Sequence, residues 1–182
     1  MAWPDIKDRP DTVPVNNGIF VYQFPRQFDK VSVLGTPPMV VARYPNYRIA
    51  VATEKMYDYG ALVLEKAGAS GPKHDKSPAL RYFEIMFTKT LTDPEPENRH
   101  DRILWRAAFA GKSIQKFSST PNAEIYRHDP WTVYMANVDG ITHTRETIAV
   151  HRDQSDFYLR VFDTNAPKAT LLNLIAATAL DR

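Results

Sequence analysis

Trp131-Thr-Val-Tyr-Met-Ala136, Thr142 to Arg152, Phe157-Tyr-Leu-Arg-Val-Phe162 and Pro167 to Leu180 together decide the fold. The first three segments are aromatic and β-branched, the composition that fits a pleated, half-buried surface. Asp139-Gly140 and Asp153-Gln-Ser-Asp156 read as polar breaks between them. Leu171, Leu172, Ile175 and Ala179, with Leu174 beside them, recur at helical spacing and predict a helix over Pro167–Leu180. The stretch therefore specifies a sheet with a helix laid on it. Its Tyr134, Ile148, Leu159 and Val161 read as core, and it carries no recognisable catalytic signature.

Upstream the same signals recur. Ile19 to Phe24, Asp29 to Leu34, Met39 to Tyr44 and Tyr47 to Thr53 are short, apolar and β-branched, and are punctuated by Gly35, Pro37-Pro38 and Pro45-Asn46. Glu54 to Lys66 fits a helix through Met56, Tyr59 and Val63, and a strand through Tyr59 to Leu64, so its period does not decide. Gly68 to Ser77 is a loop. Ser77-Pro78 opens a helix to about Lys89, since serine caps free amides and a proline at the first helical position loses no hydrogen bond. Asn98 to Ala110 is a second helix, with Gly111 as its stop. Lys112 to Phe117 and Ala123 to Arg127 read as strands. The polar, proline-rich start, residues 1–16, reads as a tether to one α+β domain over 17–182: a mostly antiparallel sheet with about three helices packed on it.

Composition excludes several jobs. The 182 residues are 43% hydrophobic and contain no cysteine, which removes disulfides, zinc-thiolate sites, iron–sulfur clusters and thiol nucleophiles. The net charge of +2, with scattered Lys and Arg, does not point to nucleic acid. No apolar run has the ~20 residues of a membrane helix. The tether-like start suggests a removed export signal or lipid anchor, hence a periplasmic or envelope location, against a cytoplasmic protein with a loose N-terminus.

No motif supplies local chemistry. His74, His100, His128, His143 and His151 form no metal-ligand pair. His143 and His151, on one expected strand, would lie ~26 Å apart at ~3.3 Å per residue. Gly68-Ala-Ser-Gly71 lacks the nucleophile-elbow pattern, and no glycine-rich phosphate cradle occurs. Glu95 and Glu97 lie on a proline-stiffened acidic loop that reads as solvated. No cofactor and no metal are expected.

Arg43, Tyr44, Tyr47, Arg48, Tyr57 and Tyr59 are the candidate interaction residues. Tyrosine beside arginine is typical of binding surfaces, because it adds rigid amphipathic area at low entropic cost. The competing reading is strand tyrosines lining a half-buried sheet. The leading functional expectation is a non-enzymatic binding protein of the bacterial envelope, such as an immunity protein neutralising a secreted toxin. One alternative is a small hydrolase or transferase without a local motif, using His128, Asp129 or His151 at a pocket. Another is a carrier holding an apolar ligand between sheet and helices. The element order, helices in Ser77–Ala110 and a closing sheet and helix in Trp131–Leu180, resembles the Mog1/PsbP-like α/β/α sandwich. Proteins of that layout include envelope lipoproteins, secretion chaperones and toxin-neutralising partners. The resemblance rests on layout alone and assigns no site residues.

Overall fold

The structure, a computed structural model, describes residues 2–3, 11–35, 38–56, 59–69, 78–90, 92–114, 123–137 and 143–181. Its fold is α+β, with ten strands in two antiparallel sheets and four helices. The chain divides into two compact units, Met1–Lys55 with Glu124–Asn137 and His143–Arg182, and Met56–Ala123 with Val138–Thr142.

The first unit contains both sheets. Strands β1 (Thr12–Asn16) and β2 (Phe20–Pro25) form a three-stranded sheet with β10 (Ala179–Leu180), in the order β1-β2-β10. Strands β3 (Lys30–Leu34), β4 (Met39–Arg43), β5 (Arg48–Lys55), β6 (Glu124–His128), β7 (Trp131–Asn137), β8 (Thr144–His151) and β9 (Gln154–Thr164) form the larger sheet. Its order is β3-β4-β5-β9-β8-β7-β6. Alternation along the pleat puts Val40, Ala42, Ile49, Val51, Val133, Met135, Ala149, Leu159 and Val161 on one face, and all are buried in one cluster. Phe20, Tyr22 and Phe24 of β2 join that cluster, as do Leu171, Leu172, Leu174 and Ile175 of helix α4 (Lys168–Ala177).

Polar groups fasten these layers. Asn17 donates from Nδ2 to Tyr22 Oη at 2.6 Å and to Thr53 Oγ1 at 2.7 Å, and Tyr22 and Thr53 hydroxyls meet at 2.5 Å. Asp163, 2% exposed, faces its cross-strand partner Arg145. Arg145 donates from Nε to Oδ2 at 3.1 Å and from Nη2 to Oδ1 at 2.8 Å, and Nη2 also donates to the Ala166 carbonyl. The Ala166 amide donates back to Asp163 Oδ1 at 3.1 Å. The carboxylate thus holds the corner through Asn165, at φ 60°, that launches α4. No side chain caps α4 at Pro167, so its docking rests on burial of its leucines and on this corner.

The second unit contains helices α1 (Tyr59–Lys66), α2 (Pro78–Thr88) and α3 (Arg99–Ile114). Asn98 caps α3, accepting the His100 amide at 2.8 Å through Oδ1. Gly111 does not stop α3, which continues to Ile114. The glycine serves packing: a Cβ there would overlap the Tyr82 hydroxyl of α2. Gly60 of α1 has the same role more severely, because its Cβ would overlap the Pro78 carbonyl.

Other expectations are corrected as well. Residues 12–16, assigned to the tether, form β1 because Val13 and Val15 pair with Phe24 and Tyr22. Trp3 also packs on the core, at an edge-on 87° to Tyr126. Lys112 to Ile114 are helical rather than extended. Asp153 to Asp156 are no break, since β9 starts at Gln154 after a turn at Arg152-Asp153. The final helix ends at Ala177, and Ala179–Leu180 instead add a strand to β2. The helices number four rather than three because the ambiguous segment divides, β5 running to Lys55 and α1 starting at Tyr59. The expected turn at Asp139-Gly140, most of the Gly68–Ser77 loop and residues 115–117 lie outside the described residues.

Two predictions follow from these contacts. Arg145→Met leaves a buried carboxylate unpaired and should lower unfolding free energy by about 3–5 kcal/mol; Arg145→Met with Asp163→Leu should regain much of that in urea titrations. Gly60→Ala, which drives a methyl into backbone, should destabilise by about 1–3 kcal/mol, more than Gly111→Ala, where the tyrosine end can swing aside.

Candidate functional site

The Tyr/Arg segment separates into two kinds of residue. Tyr44 and Tyr47 close the β4–β5 hairpin, with the Tyr44 amide donating to the Tyr47 carbonyl at 3.0 Å. Their rings stack at 4.3 Å and 15°, and Phe28 meets Tyr44 edge-on at 84°. The Tyr44 hydroxyl donates to the Pro25 carbonyl at 3.1 Å, and the residue is 6% exposed. Burial pushes both phenols up from their ordinary range. These tyrosines line the core, as the competing reading had it.

Arg43 and Arg48 behave differently. They lie directly opposite each other across β4 and β5, and Lys30 of β3 lies opposite Arg43. All three are exposed. Strands are ~4.8 Å apart, so the three cations form a row about 10 Å long on the face opposite the core cluster. Among the described residues none of them has a carboxylate partner. Like charges facing across strands repel and destabilise the sheet. Beside the row on the same face lie Val41 and Ala50, two residues further along their strands and both buried. Tyr59, 54% exposed, opens α1 in the other unit and lies 6.4 Å from the Tyr82 ring; Tyr57 lies outside the described residues. Lys30 was missed by sequence reasoning, because only register reveals it.

Farther along that face the charges are paired. Arg160 donates from Nε to Glu146 Oε1 at 2.5 Å and from Nη1 to Glu54 Oε1 at 3.2 Å, while the Tyr158 hydroxyl donates to Glu54 Oε2 at 2.6 Å. Burial raises the Glu146 carboxyl, and Arg160 opposes that rise. This network holds β5, β9 and β8 in register.

A second concave feature lies at the opposite end of the large sheet. A cleft of about 500 Å³ is lined by Asp129, Trp131, His151, Arg152 and Asp153, and by Ala176, Thr178 and Leu180 at the end of α4 and on β10. Trp131 and His151 are cross-strand partners whose rings meet edge-to-face at 4.8 Å and 86°. His151 Nδ1 accepts the Asp153 amide at 3.1 Å. Arg152 pairs with Asp129, and with Asp153 at 3.3 Å. The Trp131 indole nitrogen is buried without an acceptor among the described residues. The Thr178 hydroxyl donates to the Leu174 carbonyl at 2.8 Å.

The structure therefore brings together Asp129 and His151, two of the three candidates for motif-free chemistry. It separates His128, whose ring lies 4.9 Å from that of Trp3, tilted by 30°. His143 lies just before β8, at φ 64°, rather than on the strand with His151. His100 is buried in the helical unit beside Arg81 at 3.2 Å. No group of three metal-ligating side chains occurs among the described residues, and none of their helices is long and apolar enough to cross a membrane.

No family model, no curated protein and no solved structure matches the chain. The Mog1/PsbP-like layout is accordingly not confirmed; the α+β class stands on the structure itself.

Burial lowers the His151 pKa below its ordinary value, Asp153 and Asp129 raising it and Arg152 lowering it. The unfolded chain takes up this proton near pH ~6.5 and the folded chain only at lower pH. The stability His151 contributes is thus full above about pH 6.5 and declines as pH falls through that point toward the folded value. His151→Asn keeps an acceptor for the Asp153 amide but does not titrate. The stability difference between wild type and His151→Asn should shrink from about pH 7.5 to about pH 5 in urea titrations; a difference that grows on acidification contradicts this assignment.

Proposed function

We propose that the protein is a non-enzymatic binding protein of the bacterial envelope that docks an acidic protein partner on the Lys30–Arg43–Arg48 row. A secreted toxin that it neutralises is the first partner to test. The carrying observation is the row itself, three exposed cations in register with no carboxylate partner among the described residues. A fold that places like charges opposite one another gives up stability for them, and an acidic partner surface would recover it. A row of this length suits the charged rim of an interface, where complementarity sets association rate and partner choice. Nucleic acid fits less well. A single-strand platform needs aromatic faces beside its cations, and Tyr44 and Tyr47 are stacked on each other against the core.

The test is titration calorimetry and surface-binding kinetics with the product of the neighbouring gene. The expected result is a complex whose association slows with salt. Arg43→Glu with Arg48→Glu should slow that association by about 10-fold or more, with little change in thermal stability. Absence of a complex removes the toxin-neutralising version. A complex formed at an unchanged rate by the doubly reversed protein removes the cationic row as its docking surface. Tighter binding of duplex DNA than of the acidic protein would replace this proposal.

A further inference from the structure

The cleft at His151 is independent of the cationic row, and its groups converge on one ligand chemistry. His151 is 7% exposed and lines the cleft. Its Nδ1 already accepts the Asp153 amide, so the neutral ring carries its proton on Nε2. Among the described residues that N–H has no hydrogen-bond partner. A donor without a protein partner among the described residues, set in a concave wall, is what a ligand acceptor would satisfy.

The rim sets the charge. Asp129 and Asp153 face one guanidinium, Arg152, and both carboxylates are exposed, with side chains 75% and 58% accessible. With His151 neutral, two negative groups stand against one positive group, which repels anions and leaves one carboxylate's worth of charge unanswered. The wall between rim and floor is apolar, formed by Trp131, Ala176 and Leu180. The backbone adds to it. The Asp181 amide donates to the Ile19 carbonyl at 2.9 Å, and Ala179 pairs with Val21. Antiparallel alternation then turns the N–H and C=O of Leu180 away from β2, leaving a donor and an acceptor on the outer edge of β10.

We infer that this cleft binds an organic cation that also carries an amide or other carbonyl group. The ammonium or guanidinium sits between Asp129 and Asp153, the carbonyl accepts from His151 Nε2–H, and the short chain joining them lies on Trp131 and Leu180. A free amino-amide and a Lys or Arg residue of an extended peptide share this chemistry, and they differ in whether further backbone runs along the edge of β10.

The experiment is an NMR titration of the full chain, labelled with nitrogen-15 in its histidine rings, at about pH 7.5, where His151 is neutral. The probes are Nα-acetyl-lysinamide, its uncharged norleucine analogue, its acidic glutamate analogue and a capped pentapeptide with one central lysine among alanines. The lysine probe should shift the His151 Nε2 resonance saturably, with a dissociation constant of about 1 mM. The norleucine probe should bind about 5- to 10-fold more weakly. Asp129→Asn, at an exposed position, should erase that difference without altering the spectrum of the core. His151→Asn, which keeps the acceptor for the Asp153 amide and is followed by that amide's own resonance in uniformly labelled protein, should weaken lysine and norleucine probes alike. If the pentapeptide binds about 10-fold tighter than the single residue, the source is a peptide strand; equal affinity assigns a free small molecule. No saturable shift at His151, or equal binding of the acidic probe, overturns the inference.

Discussion

The buried carboxylate of Asp163 organises more of this fold than any apolar contact does. It has a side chain with no solvent exposure and sits on β9, between β5 and β8. A carboxylate there is tolerable only when paired and hydrogen-bonded. Arg145 meets it with two donors, and the Ala166 amide supplies a third. The bonds bring three parts of the chain together at one oxygen pair: β8 through Arg145, β9 through Asp163 itself and the corner into α4 through Ala166. The Asn165 amide donates to the His143 carbonyl at 3.1 Å, closing the same end. Once the corner is set, α4 has one direction in which to run. Its leucines then complete the core with β2, and Ala179–Leu180 can reach β2 to pair with it.

Strand β9 shows how one element can serve two faces. Leu159, Val161 and Asp163 point into the core, while Tyr158, Arg160 and Phe162 point the other way. The guanidinium of Arg160 lies 4.8 Å over the Phe162 ring and between two carboxylates. Removing a buried charge's partner is costly, whereas replacing a whole pair by apolar groups is often neutral. The ion pairs on β9 therefore specify register more than they add stability. A one-residue slip would send Asp163 toward the face of Arg160 and strand both charges.

This also explains what was legible in the sequence. Strands from Ile19 to Thr53 and from Trp131 to Phe162 were legible because their β-branched and aromatic residues state their own burial. Helix α3 was legible through Asn98 and its apolar face. Its end was not, because Gly111 carries a stop signal locally and a packing role in three dimensions, under the Tyr82 hydroxyl. Asp153 and Asp156 look like a break because two charges flank polar residues, yet pairing of Gln154 with His151 overrides composition. The Pro167–Leu180 helix was overextended because Ala179 and Leu180 are good helix formers, and only the open edge of β2 diverts them. At the candidate site, Arg43 and Arg48 were visible as types, but their alignment with Lys30 is a property of register across three strands. Tyr44 and Tyr47 were visible as types too, but the hairpin closure that stacks their rings and packs them against the core was not.

The same register logic separates the two places where this protein can meet something else. At the β3–β5 end, like charges face each other with no carboxylate partner among the described residues, a deficit that a large complementary surface would meet. At the Asp129–His151 end, charges already answer one another through Arg152, and what is left unmet is small and directional: one imidazole N–H, one excess carboxylate and an aromatic wall. A broad unmet charge favours steering and fast association, which falls with salt. An unmet donor set in a cleft favours orientation of a small group, which salt hardly touches. Two such different deficits on one unit argue for two different occupants rather than one partner spread over both.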